Sequence, residues 1–251
     1  KVEKALGIHH AKASRKNLIL MAGSFALSII LFLSFSVTVD FMKRSLTPLR
    51  PWTADLSIIS TDNSLSVDSE ILERLKENPA VKAAYGRMFS YDLLMEGGGE
   101  LKKADLLTYE KNQFGWAKEY LLEGSLDTVA NQPGTALVVY EPETTIQVGD
   151  TVTLDIGGKP QQLRICGMLS TSPFDNANNT ALIICSEDTF RQLTGAADYT
   201  IIDIQLTNKA TDEDVNNIQQ MVGTSYTFSD ERMSNSSVRG TYYSFCLFIY
   251  G

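Results

Sequence analysis

The sequence predicts an α+β protein: an N-terminal transmembrane helix followed by a mixed extracytoplasmic domain with β-hairpins and short helices. Three observations carry this reading. Residues 18–39, LILMAGSFALSIILFLSFSVTV, hold twenty-two positions without a charge or a proline. Beyond them, short alternating runs of apolar residues, broken by Gly, Pro and Asn, mix with segments of helical spacing. The charges are also divided, basic before the apolar run and acidic after it.

A helix rises about 1.5 Å per residue, so the apolar run reaches roughly 33 Å, against a hydrocarbon core of about 30 Å. Its polar members, Ser24, Ser28, Ser34, Ser36 and Thr38, can return their hydroxyls to the helix's own carbonyls. A buried helix of a soluble core is the alternative, but such helices carry a polar side. The run also exceeds the apolar region of about 7–15 residues in a secretory signal. It leaves through Asp40-Phe41-Met42-Lys43-Arg44, with no Ala-x-Ala-like site, so residues 18–42 read as a retained anchor.

Residues 1–17 carry five basic residues against Glu3, a net of +4, and read as a basic cytoplasmic segment. The patch Ala5-Leu6-Gly7-Ile8 suggests a short helix on the inner membrane surface. Residues 45–238 hold 14 Lys and Arg against 28 Asp and Glu, a net of −14. This asymmetry places 45–238 outside the cytoplasm, at a plasma or inner membrane. It also excludes nucleic acid, whose phosphates demand a basic face.

The elements of 45–238 follow in order. Prolines 48 and 51 lead away from the membrane, and residues 54–60 alternate as a strand. Val67, Ile71, Leu72 and Leu75 have helical spacing, ended by Asn78-Pro79. Residues 81–96 read as strand broken at Gly86, Gly97-Gly98-Gly99 as a turn, and 101–109 as the returning strand. Residues 114–122 read as irregular or short helix, Gly124-Ser125-Leu126 leads to a break at Asn131-Gln132-Pro133-Gly134, and 135–140 reads as an apolar strand. Residues 151–156 and 161–169 form a hairpin around Gly157-Gly158-Lys159-Pro160, with Val152, Leu154 and Ile156 facing inward. Residues 170–179 read as a polar loop, 181–185 as a strand, and 187–193 as a helix capped by Ser186. Residues 199–206 alternate as a strand, and Thr211 caps a helix over 212–222 with an acidic first turn. A short strand at 226–229 and a polar tether at 230–239 complete the domain. The run YYSFCLFIY at 242–250 puts Tyr242 and Tyr243 at a membrane interface, so 240–251 reads as the start of a second transmembrane helix. Both ends of the chain read as cut from a longer polypeptide.

Catalytic constellations are missing. The two histidines, His9 and His10, lie before the domain, so it offers no Ser-His-Asp triad and no histidine metal site. No GxxxxGK[ST] loop is present, so ATP is not bound here through one. Glu100 after the triple glycine would repel phosphate, which favours a plain turn. Asp175-Asn176-Ala177-Asn178-Asn179 is rich in oxygen ligands for calcium but lacks the spacing of an EF-hand, and reads as a solvated loop. Cys166 and Cys185 lie in two strands; they can pair across a sheet in an oxidising exterior or serve as small buried apolar residues. No catalytic, cofactor-binding or metal-ligating residue is assigned.

The order of parts then becomes the signal. A basic start, one spanning helix, about 195 further residues and a second apolar run resembles the permease subunits of MacB/FtsX-type ABC transporters. Local text carries the resemblance. Lys12-Ala13-Ser14-Arg15-Lys16-Asn17-Leu18 is similar to the family's basic-Asn approach to its first helix, and Leu122-Glu123-Gly124-Ser125-Leu126 to the segment before a core strand, with Ser125 where Arg is usual. Val148-Gly149-Asp150-Thr151-Val152-Thr153-Leu154 followed by Leu163-Arg164-Ile165-Cys166-Gly167-Met168-Leu169 resembles the family's hairpin, and residues 181–193 its strand–helix unit. The resemblance implies a partner ATPase that binds the ATP, a dimer with itself or a homologous permease half, and a multi-pass complete protein. It implies no enzyme activity in this chain; the external domain would move as the ATPase cycles. An extracytoplasmic sensor domain of a membrane signalling receptor has the same topology to residue 251, and the hairpin text favours the permease.

Overall fold

A computed structural model of the chain describes residues 2–143, 145–172 and 180–250. It divides into two units, Lys1–Arg50 with Met233–Gly251, and Pro51–Arg232. In the first, α1 runs without interruption over Val2–Ser45, 44 residues. The separate short helix expected within 1–17 does not occur: nothing from Ala11 to Asn17 is Pro or Gly, so the basic segment simply continues the helix. The hydroxyls of Ser28, Ser34 and Thr38 donate to the carbonyls of Ser24, Ile30 and Ser34 at 2.8–3.0 Å, which removes their polarity from the surface. Among the described residues, Arg15–Ser45 is long and apolar enough to cross a membrane. The polar tether expected at 230–239 is instead the first half of a helix, Arg232–Tyr250, whose Arg239 donates to the Pro48 carbonyl at 2.8 Å.

The Pro51–Arg232 unit begins with β1 (Leu56–Ile59), then α2 (Ser69–Lys76), whose N-terminal Asp68 accepts the Glu70 amide at 2.8 Å. Strands β2 (Val81–Arg87), β3 (Phe89–Gly97) and β4 (Glu100–Tyr109) follow. The interruption of the expected 81–96 strand falls at Met88, not at Gly86, which lies inside β2. Next come α3 (Lys111–Ala117), a 3-10 turn, β5 (Leu121–Gly124) and α4 (Leu126–Asn131). Helix α4 was not assigned from sequence; the Ser125 hydroxyl accepts the Thr128 amide and starts it, and it ends at the expected break over 131–134. Strands β6 (Thr135–Val139), β7 (Thr151–Ile156), β8 (Lys159–Leu169) and β9 (Ala181–Ser186) lead to α5 (Glu187–Thr194). Strand β10 (Ile201–Leu206), α6 (Asp212–Val222) and β11 (Thr227–Asp230) complete it.

The α+β class is therefore the observed one, built on two sheets. The smaller is antiparallel, in the order β11-β1-β10-β2. The larger runs β5-β8-β6-β9-β4-β3-β7, and β7 also pairs with β8, so six of its strands close into a ring. Closure is possible because β8 is long and changes partner midway: Arg164 lies opposite Thr151 of β7 and Thr135 of β6. The β7–β8 turn is only Gly157-Gly158, both left-handed at φ 61 and 77, so Pro160 sits within β8 opposite Asp155.

Val152 and Leu154 are fully buried while Thr151 and Asp155 are exposed, which is the expected register; Ile156 is only half-buried. One core joins both sheets to α2, α5 and α6, and a second lies on the opposite face of β4, β6 and β9 beneath α3 and α4. Cys166 packs on the second core and Cys185 is buried in the first. Strand β6 separates them, and two strand spacings of about 4.8 Å exceed the reach of a disulfide. Both thiols are free.

Replacing Leu154 by Ala is expected to cost about 2–5 kcal/mol through the cavity it leaves, and Thr153→Ala less than about 1 kcal/mol. Urea unfolding of both variants checks this, and equal losses would contradict the register.

Candidate functional site at the ends of two parallel strands

Strands β4 and β9 are parallel neighbours that end together, with Tyr109 opposite Ser186. Each passes directly into a helix. Helix α3 lays Phe114 and Ala117 on the second core, whereas α5 lays Phe190 on the first. The two helices thus leave to opposite faces of the sheet, and a crevice opens between their first turns. The crevice is an open cleft of about 490 Å³. Tyr109 and Phe114 lie beneath it, 1 % and 6 % exposed, and Glu110, Lys111, Glu187 and Asp188 supply its charges.

Glu110 accepts the Gly86 amide at 2.6 Å, which ties α3 to β2 of the smaller sheet. Burial raises its pKa above the ordinary 4.5, with Glu187 and Glu73 adding to the rise and the Gly86 amide and Lys76 opposing it. The Glu110 amide donates to Gln113 Oε1 at 2.6 Å. Gln113 is 1 % exposed, and its Nε2 has no hydrogen-bond partner among the described residues.

Glu187 is already committed. One of its oxygens accepts from Arg191 Nε at 2.9 Å, Arg191 Nη2 at 2.8 Å and the Tyr199 hydroxyl at 2.9 Å. The Arg191 guanidinium also sits 5.4 Å from the Tyr199 ring centre. Burial, and then the neighbouring Glu187 charge, raise the Tyr199 hydroxyl well above its ordinary pKa. This cluster borders a second open cleft of about 530 Å³ against Glu70, Glu73 and Arg74 of α2.

Beside it, the smaller sheet is pinned across its own strands β1, β10 and β2. Arg87 grips Asp203 through Nε at 3.0 Å and Nη2 at 2.5 Å, and Ser57 donates to the other Asp203 oxygen at 2.7 Å. Both members of the ion pair are about nine-tenths buried. A Cβ on Gly86 would lie 2.3 Å from the Tyr199 ring, so glycine is required for close approach and not for a turn. On the far side of β2, Tyr85 donates to the Trp52 carbonyl and stacks edge-on against Trp116 of α3 at 5.3 Å. Trp52 in turn meets Trp116 at 6.4 Å and Tyr120 at 5.9 Å.

No group of three or more potential metal-ligating side chains occurs among the described residues. The oxygen-rich stretch 175–179 lies outside them. Gly98 and Gly99 are left-handed turn residues of the β3–β4 hairpin, as their sequence suggested. None of Glu110, Glu187, Arg191 or Tyr199 is singled out by sequence. The one available signal was a strand passing without a loop into an acidic first helical turn, visible at Ser186-Glu187-Asp188.

No protein-family model and no curated protein matches the sequence. Solved structures do match the fold. The chain is similar to the periplasmic region of MacB from Actinobacillus actinomycetemcomitans, with a TM-score of 0.55 and 10% identity over 76% of this chain and 92% of that one. The extracellular domain of the noncanonic ABC-type transporter YknZ from Gram-positive bacteria aligns with a TM-score of 0.47 and 13% identity, over 66% of this chain and 87% of that one. The chain has the fold of the MacB periplasmic region.

Two outcomes follow from the junction. Arg87→Ala is expected to cost about 3–5 kcal/mol, because it strands a buried carboxylate; chemical denaturation measures it. The raised pKa of Glu110 means that the unfolded chain loses this proton first. Stability from this group is complete below the ordinary 4.5 and is lost as pH rises through the elevated folded value. Glu110→Gln is therefore expected to gain on the parent as pH rises from 4 to 7 in paired urea titrations.

Proposed function

We propose that this chain is the membrane-anchored, extracytoplasmic part of a MacB-type ABC transporter permease. The observation that carries the reading is the MacB periplasmic fold directly following a helix long and apolar enough to span a bilayer. The strand pairing supports it. Incoming β1 and outgoing β11 are neighbours, with Leu56 opposite Asp230 and the Glu231 amide donating to the Asp55 carbonyl at 2.9 Å. A domain whose two ends meet can be inserted between consecutive membrane segments. The basic residues before the span favour a cytoplasmic N-terminus and an external Pro51–Arg232 unit.

In this reading the chain hydrolyses nothing. ATP is bound by a partner ATPase at the cytoplasmic face, and the permease pairs with itself or a homologous half. The external domain acts by changing position, which requires two arrangements that ATP favours differently. The firm junction between the sheets suits this role, since a domain that moves as one piece passes on displacement without absorbing it.

Single cysteines replacing Lys118 and Lys209, both exposed, in a background lacking the three native cysteines, are expected to react with a membrane-impermeant maleimide on intact cells. Labelling only after lysis would reverse the orientation. Crosslinks between facing external domains of the assembled transporter are expected to change when ATP is trapped. An unchanged pattern in an active complex, or co-purification with a histidine kinase core, would overturn the transporter reading.

A further inference from the structure

Helix α1 carries a one-sided basic face where it meets the membrane. The uncharged run opens at Leu18, and no break separates it from the residues before it, because α1 is continuous over Val2–Ser45. At about 100° per residue, Lys4, Lys12, Arg15 and Lys16 fall within an arc of about 120° around the helix. Glu3 is the one acidic residue before Asp40, and it falls on the opposite side, about 180° from Lys12. Lys12, Arg15 and Lys16 have the spacing i, i+3 and i+4, which makes them neighbours on that face. Like charges so placed destabilise a helix, and an anion among them removes the penalty.

Depth decides which anion. The polar headgroup layer on each side of the hydrocarbon core is about 5–8 Å thick. Lys16 and Arg15 precede Leu18 by about 3 and 5 Å along the helix axis, within that layer, and Lys12 by about 9 Å, just outside it. Lys4 lies about 21 Å out, beyond two Debye lengths at physiological salt. Arg15, Lys16 and every residue from Asn17 to Phe35 are exposed, so no described part of the chain covers this end of the span. At the other end the basic residues are Lys43 and Arg44, and Arg44 is paired with Asp40 at 3.0 Å. The larger uncompensated charge therefore lies at the N-terminal end.

We propose that Lys12, Arg15 and Lys16 bind the phosphate-bearing headgroup of an anionic phospholipid in the leaflet on the N-terminal side of the span. The proposal rests on α1 crossing a bilayer and not on the transporter reading. A lipid is the occupant, and not a dissolved phosphate or an acidic protein, because two of the three cations sit at headgroup depth directly above a lipid-exposed apolar surface. Each basic residue near an anionic leaflet strengthens such association about fivefold.

The test uses the full chain in nanodiscs, whose two faces are both open, so the result does not depend on which face is cytoplasmic. In a background lacking the three native cysteines, Ile19→Cys carries a bimane label; Ile19 lies one turn beyond Arg15 on the basic side. Met21→Cys carries the same label on the opposite side. Quenching is followed against rising mole fractions of phosphatidylglycerol or phosphatidylcholine bearing the same nitroxide chain. Phosphatidylglycerol is expected to quench preferentially and saturably at Ile19, with no headgroup preference at Met21. Lys12→Gln, Arg15→Gln and Lys16→Gln should each reduce the preference about fivefold, while Lys4→Gln leaves it unchanged. Excess inorganic phosphate at constant ionic strength should not displace the lipid. Equal quenching by the two lipids at Ile19 would overturn the proposal and leave the face to an acidic protein partner. The same preference at Met21, displacement by inorganic phosphate, or a preference unmoved by Arg15→Gln and Lys16→Gln would also overturn it. Absence of quenching by either lipid would remove the span itself, and the proposal with it.

Discussion

Strand β1 is the first strand of the Pro51–Arg232 unit, yet both of its partners come from the far end of the chain. It lies between β10 and β11, with Ile58 opposite Ile202 on one side and Phe228 on the other. The smaller sheet therefore closes only by joining segments that flank the whole larger sheet, which is inserted between β2 and β10. Closing so long a loop costs entropy that grows only slowly with its length. The enclosed segment must nevertheless present β2 and β10 at a fixed separation. That requirement explains why polar chemistry concentrates where the chain crosses between the sheets.

At that crossing the contacts are of unlike kinds. The Arg87–Asp203 pair is nearly buried, and buried ion pairs contribute little net stability because desolvation offsets attraction. Their geometry is demanding, however, and an off-register approach would leave both charges unpaired. Tyr199 packed on bare Gly86 adds a steric requirement, and Glu110 on the Gly86 amide adds a directional one. The Trp52–Tyr85–Trp116–Tyr120 group supplies apolar area around them. Burial supplies the attraction and the polar contacts select one arrangement.

Elements governed by neighbouring residues were legible in the sequence. Helices α5 and α6 announce themselves through Ser186 and Thr211, whose hydroxyls accept the amides of Thr189 and Asp214. The β7–β8 hairpin shows its alternation and its glycines. What escaped depended on distant partners. Gly86 looks like a strand breaker until Tyr199, far along the chain, is laid against it. Cys166 and Cys185 look available to each other until β6 is threaded between their strands. The cleft is invisible because it exists only through the parallel pairing of β4 with β9. Helix α4 went unassigned because it is only six residues long, between Gly124 and the Asn131-Gln132-Pro133-Gly134 break.

The ring formed by β8 changing partner has a consequence for how copies of this domain can meet. A sheet with open sides offers ready backbone donors and acceptors to any extended strand, and so invites fibrils and swapped pairings. In the larger sheet, among the described residues, β5 is the strand with a single partner, and it is four residues long, while β3 and β7 meet only at Met95–Leu154 and Glu96–Thr153. Gly124 ends it in the left-handed conformation, pressed against the Cys166 carbonyl. At the β5 side the larger sheet thus offers little backbone to recruit, and recognition there falls to side chains, which substitution can tune one residue at a time.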